Sequence, residues 1–364
     1  MKKKLRVALL FGGKSAEHEI SLISARNISA AMNKNKYEIV AIAIDKQGRW
    51  FYDEAAMFLK PHGPASIAAP RANQMTAITP GTHAGALVRA SSGPALKNID
   101  VVFPVLHGPF GEDGTVQGLL KLANLPFVGA GVIGSAVGMD KDVMKRLLRD
   151  AAVPIARFLI FDRIEPRAIK FAAVKRALGL PFFVKPANLG SSVGISKVTY
   201  PREFKPALRE ARRYDGKIII EENIAGREIE CSVLGNENPI ASLPGEIVTT
   251  HGFYSYDAKY IDADGARLTI PAPLTRTQTR RIQALALKTF KVLCCDGMAR
   301  VDFFLRSNGS IFVNEINTIP GFTQISMYPQ MWAASGLSYG KLIDRLIALA
   351  LQRFKSEQRL RTSR

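Results

Sequence analysis

Ala299-Arg300-Val301-Asp302-Phe303-Phe304, followed beyond the turn Ser307-Asn308-Gly309 by Val313-Asn314-Glu315-Ile316-Asn317, decides how the chain is read. The pattern predicts a β-hairpin with strands over 299–305 and 311–316. Arg300 and Asp302 stand two apart and so project from one face of their strand. Glu315 and Asn317 share a face for the same reason. Charges set inside apolar strands are costly unless partnered. Two carboxylates, an amide and a guanidinium converging on one spot suit magnesium and phosphate, because magnesium takes oxygen ligands and is usually shared with nucleotide phosphates. The plainer alternative is an ion-pair network that only holds the hairpin together.

Upstream lies Phe183-Val184-Lys185-Pro186-Ala187-Asn188-Leu189-Gly190-Ser191-Ser192-Val193-Gly194. A strand here delivers a lysine beside a loop whose glycines let backbone N–H groups approach an anion. Alone, such a loop is often a hairpin turn; with a metal site downstream, phosphate binding is the better reading. Glu17-His18-Glu19-Ile20-Ser21 follows the first strand and puts carboxylates at a helix N-terminus, at the sheet edge where ligands bind. An ordinary acidic first turn would look the same. Leu106-His107-Gly108-Pro109-Phe110-Gly111-Glu112-Asp113-Gly114 is a glycine-bearing loop after an apolar strand, with a single histidine that is more often structural than catalytic.

Strands over 6–11, 38–44, 101–106 and 126–128 alternate with helices over 19–32 and 114–122. This rhythm implies an N-terminal doubly wound parallel sheet. Residues 60–98 are rich in Pro, Gly, Ala, Ser and Thr with weak periodicity and read as a surface excursion. A helix over 141–150 opens a strand-rich region: 181–185, 194–198, 217–222 and 228–234. Helices over 277–293 and 342–354 complete the chain, before a basic tail over 353–364. The plan is an α/β protein of three lobes: 1–140 with the parallel sheet, 141–220 with the phosphate loop, and 221–364 with the hairpin.

The chain has 364 residues, 47% hydrophobic and 22% charged, which excludes disorder, collagen and coiled coil for the whole. Lys+Arg 50 against Asp+Glu 31 leaves a net charge of +19. That excess could attract nucleic acid, but no basic stripe interleaved with aromatics is present, so no nucleic-acid partner is expected. Three cysteines without C-x-x-C spacing read as reduced, buried thiols rather than a disulfide framework or zinc site. The apolar run 7–11 falls short of the about 7–15 residues of a signal core, and no stretch reaches the about 20 of a membrane span. A cytoplasmic protein without a membrane partner is expected. Gly13-Lys14-Ser15 imitates a P-loop but has Ala8 where the first glycine belongs. Gly129-Ala130-Gly131-Val132-Ile133-Gly134 matches G-x-G-x-x-G, yet no acidic residue ends a following strand, so a tight strand-to-helix turn is preferred to a dinucleotide site.

Taken together, FGGKSAEHEIS, FPVLHGPFGEDGTVQGLL, MDKDVMKRLL, FVKPANLGSSVGISKV, GREIECSVLG, AKYIDADG, ARVDFFL and VNEINTIPGFTQISMYP span residues 11–329. In this order the chain resembles the D-alanine:D-alanine ligase family of the ATP-grasp superfamily. The resemblance implies the three-lobed ATP-grasp fold with ATP between the central and C-terminal lobes. Lys141 and Lys185 would bind phosphates, and the loop 190–194, with Ser191 and Ser192, would close over the γ-phosphate. Adenine would meet Glu221 and Ile224 between Phe183 and Phe304, and Glu228 would hold the ribose. Asp302, Glu315 and Asn317 would coordinate two Mg²⁺, with Mn²⁺ an alternative. Arg300 and the Gly321 N–H would stabilise an oxyanion. Glu17, with His107 nearby, would hold the first D-alanine; Ser326, the Met327 N–H and Lys259 would hold the carboxylate of the second. Tyr260, Ser191 and Glu17 would link the lobes. The pair Lys259-Tyr260, absent from relatives that make a D-alanyl-D-lactate ester, implies an amide product, and the family implies a homodimer. Another ATP-grasp carboxylate ligase is the alternative.

Overall fold

The computed structural model describes residues 3–64, 66–67, 75–78, 86–89, 95–163, 168–191, 193–249 and 266–361. The apolar run of Leu5–Gly12 is buried on both faces, as a central parallel strand must be. Val7, Leu9 and Phe11 enter one core, while Ala8 and Leu10 enter the other. The strand pairs in parallel with Tyr37–Ile44 and Val101–Val105. Trp50–Tyr52 adds an antiparallel edge. The expected strand at 126–128 reduces to one bridge, Val102 to Phe127. Two hydrogen bonds hold it before Gly129, at φ +95°, turns the chain away. Residues 60–98 hold more order than their composition suggested: Thr76–Ile78, Ala86–Arg89 and Ala95–Asn98 form an antiparallel sheet. Strands this short offer too few alternations for a pattern to register.

The G-x-G-x-x-G segment is a strand-to-helix turn, opening the helix Val132–Met139. A Cβ at Gly134 would lie 2.6 Å from the Cys294 carbonyl oxygen, so close backbone packing requires the glycine. The next element is another helix, Lys141–Asp150, capped by Asp140.

A second sheet is antiparallel, in the order Ser196–Val198, Phe182–Pro186, Lys217–Glu222, Phe158–Asp162. Its buried face, including Phe182, Val184, Ile218 and Ile220, packs on Phe204 and Leu208 of the helix Pro201–Arg212. Lys217–Glu222 is paired along its whole length here, so this sheet runs past residue 220. A third sheet orders Ala266–Thr269, Gly245–Thr249, Arg227–Gly235, Gly297–Leu305 and Ile311–Asn317, with Ile240–Ala241 beside Arg227–Gly235. The helix Arg276–Val292, opened by the capping box of Thr275 and Gln278, covers one face with Ile282, Ala286 and Phe290.

The last helix, Tyr339–Glu357, returns to the first sheet: Leu342, Ile343 and Leu346 share a core with Val7, Leu9 and Phe11. Arg353, expected to begin a basic tail, belongs to this helix. Its guanidinium donates to the carbonyls of Gly129 at 2.5 Å and Phe127 at 2.9 Å, acceptors left over where the 126–128 strand breaks off. Cys231 and Cys295 are buried and Cys294 is exposed, against the expectation that all three are buried. Among the described residues no helix is long and apolar enough to cross a membrane.

Candidate active site

Sheet register assembles the first half of the site. Asp302 lies opposite Glu315 and Arg300 opposite Asn317, so the alternation read from sequence brings all four together. Arg300 grips Asp302 with two parallel hydrogen bonds of 2.7 Å, and its Nε lies 2.9 Å from Glu230. Burial opposes the guanidinium charge, but Asp302 and Glu230 outweigh it and raise the Arg300 pKa well above its ordinary value. Asn317 Nδ2 donates to Asp302 at 3.0 Å, leaving its carbonyl oxygen as an acceptor. Register then slips: Phe303 faces Val313, and Asn314 becomes the extra residue of a β-bulge. The bulge lets two successive residues, Asn314 and Glu315, line the same cavity.

That cavity, of about 310 Å³, lies between the second and third sheets. Lys141, Phe183, Lys185, Glu221, Ile224 and Glu228 line it, with Phe304, Asp302 and Glu315 on the hairpin side. The nucleotide residues expected from sequence are thus gathered, apart from the two serines. Ser191 is described in a turn at φ +51° outside the lining, and Ser192 lies outside the described residues. The Lys141 ammonium donates to the Leu189 carbonyl at 2.6 Å and lies 3.7 Å from Glu315. Burial pulls its pKa below the ordinary lysine value, more than Glu315 restores.

Lys185 and Lys145 grip one carboxylate, Glu221, at 2.5 and 2.8 Å. Burial works against the Glu221 charge, yet the two lysines bring its pKa down to about 2. Burial likewise opposes the charge of Lys185, and Glu221 more than offsets it, raising the pKa. The Glu221 side chain therefore acts on the lysines, fixing where Lys185 stands. Sequence reading missed Lys145 and Glu230. Each left a signal: Lys145 is four residues from Lys141 on one helix face, and Glu230 is two from Glu228 on one strand face.

The sequence reading assigns metal ligands to this hairpin. Among the described residues no three His, Cys, Asp or Glu side chains converge as a metal centre. Two carboxylates and an amide oxygen nevertheless match the oxygen preference of a hard divalent cation that keeps further waters and phosphate ligands. The donor set fits magnesium.

Loops from distant parts of the chain form the other half. Glu17 is buried at the N-terminal cap of the helix His18–Ala31. A Cβ on Gly108, at φ +74°, would sit 3.3 Å from its carboxylate, so the glycine lets the 106–114 loop close on Glu17. The buried His107 Nδ1 hydrogen-bonds the Ile319 carbonyl at 2.9 Å. Glu112 accepts from the N–H groups of Gly108 at 2.8 Å and Ile319 at 3.0 Å. Burial and the Glu17 charge push the Glu112 pKa up to about 8, against those two N–H donors and Arg300. Ser24 accepts from the Phe322 N–H at 3.3 Å. Ser326 accepts from the Thr323 N–H at 3.0 Å, and its Oγ lies 2.9 Å from where a Cβ on Gly321 would be, so a side chain there would push the hydroxyl aside. Met327 begins the helix Met327–Ala334. Lys259 and Tyr260 lie outside the described residues.

A cavity between two antiparallel-sheet lobes, lined by lysines and a carboxylate hairpin and attached to a parallel α/β sheet, defines the ATP-grasp class of fold. The profile described as "D-ala D-ala ligase N-terminus" matches residues 6–130, and "D-ala D-ala ligase C-terminus" matches 147–348. The chain belongs to the D-alanine–D-alanine ligase family. It is 52% identical over 361 residues to the D-alanine--D-alanine ligase of Shouchella clausii, covering 99% of this chain and 98% of that one. Against the D-alanine--D-alanine ligase A of Escherichia coli K12 it is 52% identical over 362 residues, covering 99% and 100%. Among solved structures, the D-alanine-D-alanine ligase from Coxiella burnetii is 42% identical with a TM-score of 0.83, covering 98% of this chain and 96% of that chain. The VanG D-Ala:D-Ser ligase from Enterococcus faecalis is 34% identical with a TM-score of 0.84, covering 96% and 100%.

Proposed function

We propose that the chain uses ATP to join two D-alanine molecules into D-alanyl-D-alanine for peptidoglycan precursor synthesis. The observation that carries this is the pairing of Asp302 with Glu315, both lining the lysine-bearing cavity, and of Arg300 with Asn317 beside them, in a chain about half identical to ligases of that name along its length. The reaction has two steps. A carboxylate oxygen of the first D-alanine attacks the γ-phosphorus, the bond to ADP breaks, and an acylphosphate forms. The amine of the second D-alanine then attacks the acyl carbon, loses a proton and expels phosphate.

Lys141 and Lys185 would neutralise the phosphates, with Phe183 and Phe304 on either side of adenine, Glu221 and Ile224 at its edge, and Glu228 on the ribose. Asp302, Glu315 and Asn317 would hold two Mg²⁺ ions, or Mn²⁺, which would neutralise charge on the transferring phosphoryl group. Arg300 and the Gly321 N–H would face the tetrahedral oxyanion, where fixed donors are worth most. Glu17, beside His107, would take the first ammonium. Ser326, the Met327 N–H and Lys259 would take the second carboxylate. Tyr260, Ser191 and Glu17 would fasten the lobes together. The three larger sheets support a division into three lobes near residues 140 and 220. A homodimer in the cytoplasm completes the reading, and light scattering on the purified chain tests the dimer.

The deciding assay is phosphate release from Mg·ATP with D-alanine, L-alanine, D-alanine plus D-lactate, or D-alanine plus D-serine, with products identified by mass. D-Alanine alone should give the dipeptide, and D-lactate should not enter the product. Failure of D-alanine alone, under conditions where ATP binds, would move the reading to another carboxylate.

A further inference from the structure

Gly321, whose N–H faces the reacting carbonyl in the reading above, belongs to a loop with no regular structure of its own. That loop is pinned on both sides of the glycine by groups remote in sequence. Ser24 holds Phe322 from the first helix. On the other side the 106–114 loop holds both polar groups of Ile319: His107 bonds its carbonyl and Glu112 accepts its N–H. The second Glu112 oxygen accepts the Gly108 N–H, so one carboxylate both closes its own loop and fastens the other. Gln117 supports the arrangement, donating to the Gly111 carbonyl at 2.7 Å. His107 is drawn into the same clamp. Its Nδ1 donates to the Ile319 carbonyl, and its buried Nε2 has no hydrogen-bond partner among the described residues.

We propose that Glu112 is a positioning residue for the ligation step: it locks the Ile319 peptide to the His107 loop and thereby fixes the Gly321 N–H and the His107 ring against the substrate. The inference rests on the reading of Gly321 as an oxyanion donor. Its physical basis is that a donor lowers a barrier only when held within hydrogen-bond distance of the place where charge develops, and an untethered loop cannot supply this. A carboxyl group suits the task because its two oxygens diverge and each can accept one N–H, as they do from Gly108 and Ile319. Glutamine keeps one acceptor oxygen and turns an NH₂ toward the other N–H, so it retains half the clamp.

The test compares the full-length chain with Glu112→Gln and Glu112→Ala, following dipeptide formation from Mg·ATP and D-alanine alongside amide hydrogen exchange. Glu112→Ala should lower kcat by at least about tenfold while KM for ATP stays within about twofold, because the nucleotide cavity does not use this clamp. Glu112→Gln should fall between the two. Exchange at the Ile319 amide should quicken in both variants while the strand Gly297–Leu305 stays protected. Unchanged kcat in Glu112→Ala, or loss of kcat with Ile319 exchange unaltered, overturns the proposal. If Glu112→Ala does not fold, Glu112→Gln decides by the same two readouts. A wild-type chain that makes no dipeptide strikes the functional reading instead, and the exchange result still reports whether Glu112 holds the loop.

Discussion

The proposed nucleotide cavity and the proposed amino-acid side of the site are built by different means. In the cavity, strand alternation and register bring the charges together. Arg300, Asp302, Glu315 and Asn317 need only their places in a hairpin, and Lys185 and Glu221 theirs in adjoining strands. On the amino-acid side, loops carry the groups, and hydrogen bonds between residues far apart in sequence hold those loops: Glu112 to Ile319, His107 to Ile319, Ser24 to Phe322. Regular structure makes one half rigid by its ladders; a few polar contacts give the other half its shape.

The largest expected effect breaks the cavity outright. Glu315→Ala should cut phosphate release more than about a thousandfold, since it removes one of the two carboxylates proposed to hold the metal ions. Its thermal midpoint should stay within a few degrees of wild type. Normal turnover would sink the metal assignment. Lys145→Met comes next and tests whether the cavity depends on buried pairing: leaving Glu221 with a single cation should cost about 3 kcal/mol in denaturant unfolding. An unchanged midpoint would show that Lys185 suffices.

The same carboxylate gives a pH signature. Its folded pKa of about 2 lies below the ordinary 4.5, so its stabilisation is complete above pH 4.5 and is lost as the pH falls toward 2. Acid titration of stability should therefore be steeper for wild type than for Glu221→Gln; parallel curves would refute the pairing. On the amino-acid side effects should be smaller and selective. Ser326→Ala should raise KM for D-alanine by about tenfold with KM for ATP unchanged. Ser24→Ala removes one acceptor from the Phe322 N–H and should cost only about 1 kcal/mol. If it instead matched Glu315→Ala in lost turnover, the loop half would be as demanding as the cavity.

This contrast explains what could be read beforehand. The hairpin and its four polar residues were legible because alternation of period two states which side chains share a face. The strand holding Lys185 was legible for the same reason. The Asn314 bulge was not: one inserted residue changes which side chains face the cavity without disturbing any apolar pattern. Lys145 was passed over because a helical lysine usually reads as a solvated one; only the tertiary structure reveals Glu221 beneath it. The roles of Glu112 and Ser24 lie in partners 207 and 298 residues away, distances over which no local pattern speaks. The strands near Ala86 and Ala95 escaped for want of length, and Arg353 read as tail because its acceptors, two carbonyls at a broken strand, leave no trace in side-chain composition.

One feature of the architecture bears on how the molecule is made. The inner face of the first sheet, with Val7, Leu9 and Phe11, shares a core with Leu22, Ala25 and Ile28 of the helix His18–Ala31 and with Leu342, Ile343 and Leu346 of the helix Tyr339–Glu357. A chain leaving the ribosome presents that sheet and the helix His18–Ala31 long before the helix Tyr339–Glu357. Part of the apolar face therefore stays open until that helix has been translated, a state in which hydrophobic surface and strand edges invite aggregation. A chain truncated before residue 339 would lose Leu342, Ile343 and Leu346 from that core and leave the helix His18–Ala31 to cover the face with less apolar surface.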